Sequence, residues 1–502
     1  MKRNLTVLLV LACTFASAQN INDVLRYSNE NIQGTARFQG MGGAFGALGG
    51  DLSALNVNPA GSAVFANGQF TISGSNYNRN NDASYFGNDR STDLNTFDIN
   101  QVGAVFVFNN TNSGSEWKKF SLAVNYDLVN QMDNEIFVAG TSNQGIDNYF
   151  LDYAQGVPFG PLLLQDGEYI DEAYLDIGAS LGFVDQQAFL GYFGGIIDPV
   201  DMDDDNNTDY ISNARYSNVN QAYSKSTAGY NSKFTLNMAS QYGENIYLGA
   251  SMNIHTVSYD ELTRFSESGY DSDSEIQFVD FDNFLHTEGS GFSFSLGGIA
   301  KLTESLRLGA SYQSPTWYRL TDDTSQRINS DLADADINFI DFNDINLFER
   351  YTIKTPSKLT GSLAMVFGIH GLLSLDYSYQ DMSKAELRPT SDPAFSSENS
   401  YISNTLTGVS AVRLGGEYRL DRISLRVGFR YEQSPYENGD TIGDLQGYSA
   451  GIGYNFGGSR LDLAYYRSEQ DVDLQLFNSG LTTPASINNI NNNITLGYTL
   501  NF

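Results

Sequence analysis

In the C-terminal third of the chain, apolar and polar residues alternate one for one. Ile423, Leu425, Val427, Phe429 and Tyr431 take one side of the backbone, and Ser424, Arg426, Gly428 and Arg430 take the other. Successive residues of a strand point to opposite faces, so this run predicts a β-strand with one greasy and one wet face. Runs of the same kind fall at about residues 68–78, 100–109, 118–129, 229–242, 245–259, 288–301, 304–314, 355–368, 370–380, 408–420, 422–432, 447–457, 459–468 and 491–502, fourteen in all. Tight turns such as Tyr242-Gly243-Glu244-Asn245, Leu302-Thr303-Glu304, Leu420-Asp421-Arg422 and Gly457-Gly458-Ser459 alternate with connections of about 14 to 100 residues.

A soluble sandwich and a membrane barrel both produce this alternation. The aromatic strand ends, Phe429 and Tyr431 beside Tyr377 and Tyr379, suit the interfacial girdles of a barrel. Short turns on one side and long loops on the other suit a barrel with periplasmic turns and extracellular loops, and an even strand count puts both chain ends in the periplasm. The last run, Ile494, Leu496, Tyr498, Leu500 and the terminal Phe502, forms a lipid face ending in the aromatic expected of outer-membrane assembly. The predicted fold is therefore all-β: a 14-stranded antiparallel transmembrane β-barrel in the bacterial outer membrane, occupying residues 68–502.

Composition agrees with strands rather than helices, since 31 Tyr, 32 Phe and 48 Gly stand against only 10 Pro. Lys2 and Arg3 precede the apolar run Leu5 to Ala12, and Ala16-Ser17-Ala18 offers a cleavage site, so residues 1–18 read as a signal peptide and Gln19 as the mature N-terminus. Cys13 is the only cysteine and falls within that leader; the alternative is a lipobox, Val10-Leu11-Ala12-Cys13, in which Leu11 fits poorly. Losing Lys2 and Arg3 leaves 26 of the 28 basic side chains against 59 acidic ones, a net charge of −33 that argues against nucleic acid as a partner. Past the leader there is no apolar run of the roughly 18 or more residues that a membrane helix needs.

Residues 34–67 lack alternation and are rich in Gly and Ala, so they can pack tightly inside a barrel rather than build its wall. Here the sequence resembles the FadL/TodX family of outer-membrane transporters of hydrophobic molecules. The resemblance is carried by Gly42-Gly43-Ala44 with Asp51, Ser53 and Ala54, by Asn58-Pro59-Ala60-Gly61, and by the segments Phe292 to Pro315 and Val412 to Tyr436. It implies a hatch within residues 19–67, with Asn58, Pro59, Ala60 and Gly61 at its working part, and passive uptake of a hydrophobic ligand from an extracellular groove. Release would follow movement of the hatch or a lateral opening beside a kinked strand. Two departures from the family are the polar extension 19–33 and the loop 130–228, whose Phe150, Leu162, Phe189, Leu190, Phe193 and Ile197 predict one or two short helices at the mouth.

Other motifs are read beside their plainer alternatives. Asn-Pro is also a common turn initiator. Arg307, Arg413, Arg426 and Arg430 take inward positions beside Asp376, Glu417 and Asp462; they either solvate those carboxylates or hold the head group of an acidic ligand by a bidentate hydrogen bond. Asp201, Asp203, Asp205 and Asp209 have the spacing of a calcium loop, although Asn206 replaces its glycine and Ser212 its closing glutamate; a solvated acidic loop is the alternative to a structural calcium. Gly447-Tyr448-Ser449-Ala450-Gly451 matches a nucleophile elbow but lies in a strand hairpin, and His255, His286 and His370 are scattered, so no catalytic constellation is legible. The expected function is a non-enzymatic channel for long-chain fatty acids or similar compounds, whose partners are hydrophobic small molecules and membrane lipid. Its rival is a non-transporting barrel that scaffolds an outer-membrane secretion or assembly complex.

Overall fold

The computed structural model describes residues 19–112 and 114–502; the leader 1–18, with Cys13, lies outside the described residues. Fourteen antiparallel strands close on themselves: β1 (Gln69–Tyr85), β2 (Asn88–Asn109), β3 (Trp117–Gln131), β4 (Val219–Tyr242), β5 (Ile246–Ser268), β6 (Phe278–Lys301), β7 (Leu306–Gln313), β8 (Lys358–Val366), β9 (Gly371–Asp381), β10 (Gly408–Leu420), β11 (Ile423–Glu432), β12 (Leu445–Asn455), β13 (Ser459–Leu474) and β14 (Ala485–Asn501). Closure is explicit at Gln69, which lies opposite Val105 of β2 on one side and Asn501 of β14 on the other. A closed ladder leaves no backbone edge in lipid. The predicted alternation holds: Ile494, Leu496, Tyr498 and Leu500 face outward while Thr495 and Thr499 are buried inside. Trp117 against Tyr242, Phe106 against Phe502, and Tyr454 against Phe456 form an aromatic rim at the short-turn end.

Two readings of the sequence are corrected. Residues 79–99, expected as a long loop, continue β1 and β2 into a tall hairpin that turns at Phe86 and Gly87. Both turn residues have positive φ, 48° and 76°, which matches the right-handed strand twist; Phe at the first position is an unusual choice and hid the turn. The connection 130–228 carries a strand at Asn134–Ser142 against β4, and three helices rather than one or two: α3 (Asp147–Ala154), α4 (Ile170–Ser180) and α5 (Phe183–Phe193). Phe150, Phe189, Leu190 and Ile197 from this cap pack on Tyr223, Phe265 and Phe281 from the wall, closing the long-loop end with its own hydrophobic core.

One buried acid ties the cap to the wall beyond the apolar band. Glu267, near the end of β5, accepts hydrogen bonds from the Ile146 amide at the start of α3, from Gln221 and from Tyr270, and it faces Asp147 and Tyr85. Burial pushes its carboxyl up to about 7, more than those hydrogen bonds pull it down, and Asp147 adds to the rise. A raised carboxyl favours the docked state when protonated. That stability is fully present below the ordinary value of 4.5 and is lost as pH rises through about 7. The difference is on the order of 3 kcal/mol. Intrinsic-rate-corrected hydrogen exchange of residues 146–154 is therefore expected to show protection falling between pH 4.5 and 7.5 in the wild type and staying level in Glu267→Gln; a level wild type would refute the assignment.

Residues 19–67 fill the lumen as α1 (Ile21–Ser28), α2 (Ala36–Gly40) and two short 3-10 turns, Leu52–Asn56 and Pro59–Val64. A capping box at Asn20 and Asp23 starts α1; Thr35 caps α2, and Asp51 and Asn58 cap the 3-10 turns. β7 ends before Ser314-Pro315 and β8 begins after Thr355-Pro356. Proline donates no ladder hydrogen bond, and the chain resumes on β6 only at Trp317.

Candidate functional site

The luminal segment is held by many short polar contacts to the inner wall. Asn58 is the pivot: its side-chain amide donates to Gly46 O at 2.7 Å and to Gly298 O of β6 at 3.0 Å, while its Oδ1 accepts from the Ala60 amide at 3.1 Å. Pro59 O accepts from Asn237 of β4, and Ala60 and Gly61 are buried against their neighbours. Asp376 of β9 accepts from the Gly46 amide at 3.1 Å. The wall meets this backbone with glycines. A Cβ at Gly249, Gly309, Gly415 or Gly428 would lie 2.2 to 2.5 Å from Pro59, Gly46, Met41 or Gly42 backbone atoms, closer than a side chain can approach.

The candidate arginines divide into distinct roles. Arg307 donates to Leu48 O at 3.0 Å and so holds the segment itself. Arg426, buried, bridges Glu417 at 2.7 Å and Asp462 at 2.8 Å, and Glu417 also receives Arg37 of α2 at 2.9 Å. Arg430 pairs with Glu432 at 2.6 Å and donates to Glu30 O. Arg413 stands beside Arg430 and Asp376 in the ladder, and its Nε has no hydrogen-bond partner in the protein. Three of the four are thus absorbed by wall and hatch. Ser449 of the elbow-like pentapeptide lies in β12 and accepts from the Gly42 amide, a structural contact. The carboxylates Asp201, Asp203, Asp205 and Asp209 are exposed and are not brought together: among the described residues no three such groups stand close enough to hold a metal. Asp201 instead accepts from the Asp203 amide of its own loop.

Two cavities lie above the hatch, separated by α1. The upper one, of about 900 Å³, is lined by Tyr149, Tyr223, Leu476 and Phe477 together with Lys225 and Glu261, and Ile21 and Arg26 of α1 face it. The lower is a small polar chamber formed by Tyr27 and Ser28 with Lys233, His255, Ser293 and Lys358. Arg26 stacks over Tyr259 at 4.0 Å and pairs with Glu261 at 3.6 Å, both on β5, which fixes α1 between the cavities. Two apolar grooves of about 430 and 450 Å³ beside Leu373, Gly416 and Val427 lie on the outer wall and belong to the lipid face.

Sequence reasoning missed one row of side chains. Gln101 of β2, Asp127 of β3, Lys233 of β4 and His255 of β5 are successive ladder partners, all pointing inward and all buried. Gln101 and Asp127 form the last rung at which β2 and β3 pair; beyond it the two strands part, and β2 is linked to the following chain by side chains, Thr92 donating to Glu135 O and Thr96 accepting from Gln131. Inward parity of each residue is legible from the alternation, but the register that aligns them is not.

Comparison with known proteins places the geometry. A family model described as outer membrane protein transport protein (OMPP1/FadL/TodX) matches residues 171–475. The fold is similar to the crystal structure of a Pseudomonas aeruginosa FadL homologue, with TM-score 0.53 and 13% identity over 94% of this chain and 99% of that one. It is also similar to the Pseudomonas putida toluene transporter TodX, with TM-score 0.52 and 12% identity over 95% and 100% of the two chains. No curated protein matches the chain by sequence.

Proposed function

Because this chain belongs to the OMPP1/FadL/TodX family of outer-membrane transport proteins, we propose that it is a passive channel for long-chain fatty acids or similar hydrophobic compounds. Its long loops face outward and both termini face the periplasm. The observation that carries the reading is a cavity of about 900 Å³, in which Tyr149, Tyr223, Tyr259 and Phe477 stand among a largely polar lining, set above a luminal segment of small residues. Ligand enters that vestibule, passes α1 and moves on when the hatch shifts. Two hatch positions within a few kcal/mol of each other suffice, since ligand binding supplies energy of that order.

The cap favours a second reading. Its folded core closes the mouth and leaves Val200, Met202 and Ile211 exposed, as a barrel that scaffolds a complex would. Replacing Asn58-Pro59-Ala60 by three glycines separates the two. It removes the contacts to Gly46 and Gly298 and is expected to change uptake of a fluorescent fatty acid several-fold while the barrel still assembles, read as the different gel mobility of unboiled and boiled protein expected of a closed barrel in both wild type and mutant. Unchanged uptake in assembled mutant, or none in the wild type, moves the assignment to the scaffold.

A further inference from the structure

The charges on the upper cavity cancel. Its lining carries three cations, Arg26, Arg79 and Lys225, and three carboxylates, Glu261, Asp440 and Asp473. Arg26 and Lys225 pair with Glu261 at 3.6 and 2.9 Å, and Arg79 donates to Gln131 O and interacts with Asp133. No surplus cation remains for an ionised head, but neutral hydrogen-bonding groups do remain. Tyr223 and Tyr436 line the cavity at 4% and 6% exposure, and their hydroxyls form no hydrogen bond among the described residues. Asn130 and Asn134, also in the lining, have their side-chain oxygens taken by Asn31 at 2.7 Å and Asn81 at 2.8 Å; each amide nitrogen is then a donor with no acceptor among the described residues. Asp473 Oδ1 accepts from Ser486 at 2.8 Å, and its Oδ2 has no donor among the described residues. Beside these groups Phe477 meets Tyr149 and Tyr223 at ring-centroid distances of 5.1 and 6.4 Å and forms an aromatic wall.

Each ligand class meets this lining differently. A plain hydrocarbon would cover donors and acceptors without bonding them, which is unfavourable. An alkyl carboxylate finds every cation already engaged. A hydroxyl donates and accepts at once, so several hydroxyls on one ligand serve the amide nitrogens, the phenols and the carboxylate oxygen together. A volume of about 900 Å³ is at the upper end for ligand pockets and leaves room for a bulky head with part of a tail. We propose that the upper cavity binds the neutral, polyhydroxylated head of an amphiphile, of which the sugar of a glycolipid is the type. Its hydroxyls bond to Tyr223, Tyr436, Asn130, Asn134 and Asp473, and its apolar edges lie on Phe477 and Tyr149. The inference rests on the transport reading, whose apolar tail it keeps, and narrows the ligand by its head.

The test is calorimetry on the full-length barrel in lipid nanodiscs with hexyl maltoside, hexanol, hexanoate and maltose, blanked against empty nanodiscs. Hexyl maltoside is expected to bind about tenfold tighter than hexanol, as one or two net hydrogen bonds give. Hexanoate should bind no tighter than hexanol, and maltose, without a tail, more weakly than hexyl maltoside. The double variant Tyr223→Phe, Tyr436→Phe removes two hydroxyls and keeps both rings, so it should lose most of the preference with hexanol unchanged. Equal binding of hexyl maltoside and hexanol, a preference untouched by the double variant, or hexanoate as the tightest ligand overturns the inference and leaves the transport reading standing, with water as the partner of the unbonded groups. Maltose binding as tightly as hexyl maltoside overturns the amphiphile and assigns the cavity to a free saccharide. Failure of all three tailed compounds to bind overturns the transport reading as well. The wild-type comparison decides even if the variant does not assemble.

Discussion

Replacing Glu417 with alanine is expected to free the hatch without opening the barrel. Three guanidinium groups converge on this buried carboxylate: Arg37 of α2 at 2.9 Å, Arg426 at 2.7 Å and Arg419 at 2.7 Å. Asp462 takes the second arm of Arg426 and also Arg460. Without Glu417, four arginines share one carboxylate. Leaving such charges buried and unpaired costs about 3 to 5 kcal/mol. The β-ladders cannot release that strain, but α2 can leave the wall, since Arg37 is the only one of these arginines carried by the luminal segment. Assembled Glu417→Ala should keep its heat-modifiable mobility, become cleavable between residues 34 and 67, and admit a bulky antibiotic that the wild type excludes. The double variant Arg37→Met, Glu417→Met removes a cation together with its partner and should recover part of the protection. Wild-type protease resistance in Glu417→Ala would refute the role.

How much of this was legible beforehand follows from what each feature depends on. Strand number and outward faces follow from period-2 alternation, a local property, and Ile494 to Leu500 or Ile423 to Val427 appear as read. The luminal packing of residues 34–67 was visible as missing alternation and excess small residues. The roles of Arg307, Arg426 and Arg430 were not, because hydrogen bonds to Leu48, Glu417 and Glu30 span 259, 9 and 400 residues and depend on register. Lys233 and Gln101 were hidden for the same reason: no single strand marks them, and only the ladder sets them in one row. The Phe86-Gly87 turn failed for a local reason, since Phe carries no signal for positive φ.

The wall glycines lead to the second large effect. Gly428 is half-buried on the inner face of β11, and a Cβ there would lie 2.2 Å from the Gly42 amide nitrogen and 2.4 Å from the Met41 carbonyl carbon. Both are backbone atoms, so no rotamer change relieves the contact. Inserting even a few carbons into packed structure costs about 1 to 3 kcal/mol. Here the ladder on both sides of β11 holds Gly428 in place, so the luminal chain must yield. Gly428→Leu is therefore expected to assemble with its hatch displaced and to conduct ions in a planar bilayer where the wild type stays closed. Gly361→Leu is the matched control: a Cβ there meets nothing within 4 Å, so it should match the wild type. Closed Gly428→Leu channels in correctly assembled protein would show that the hatch absorbs the added side chain without moving, and would remove displacement of residues 41–42 from the gating account.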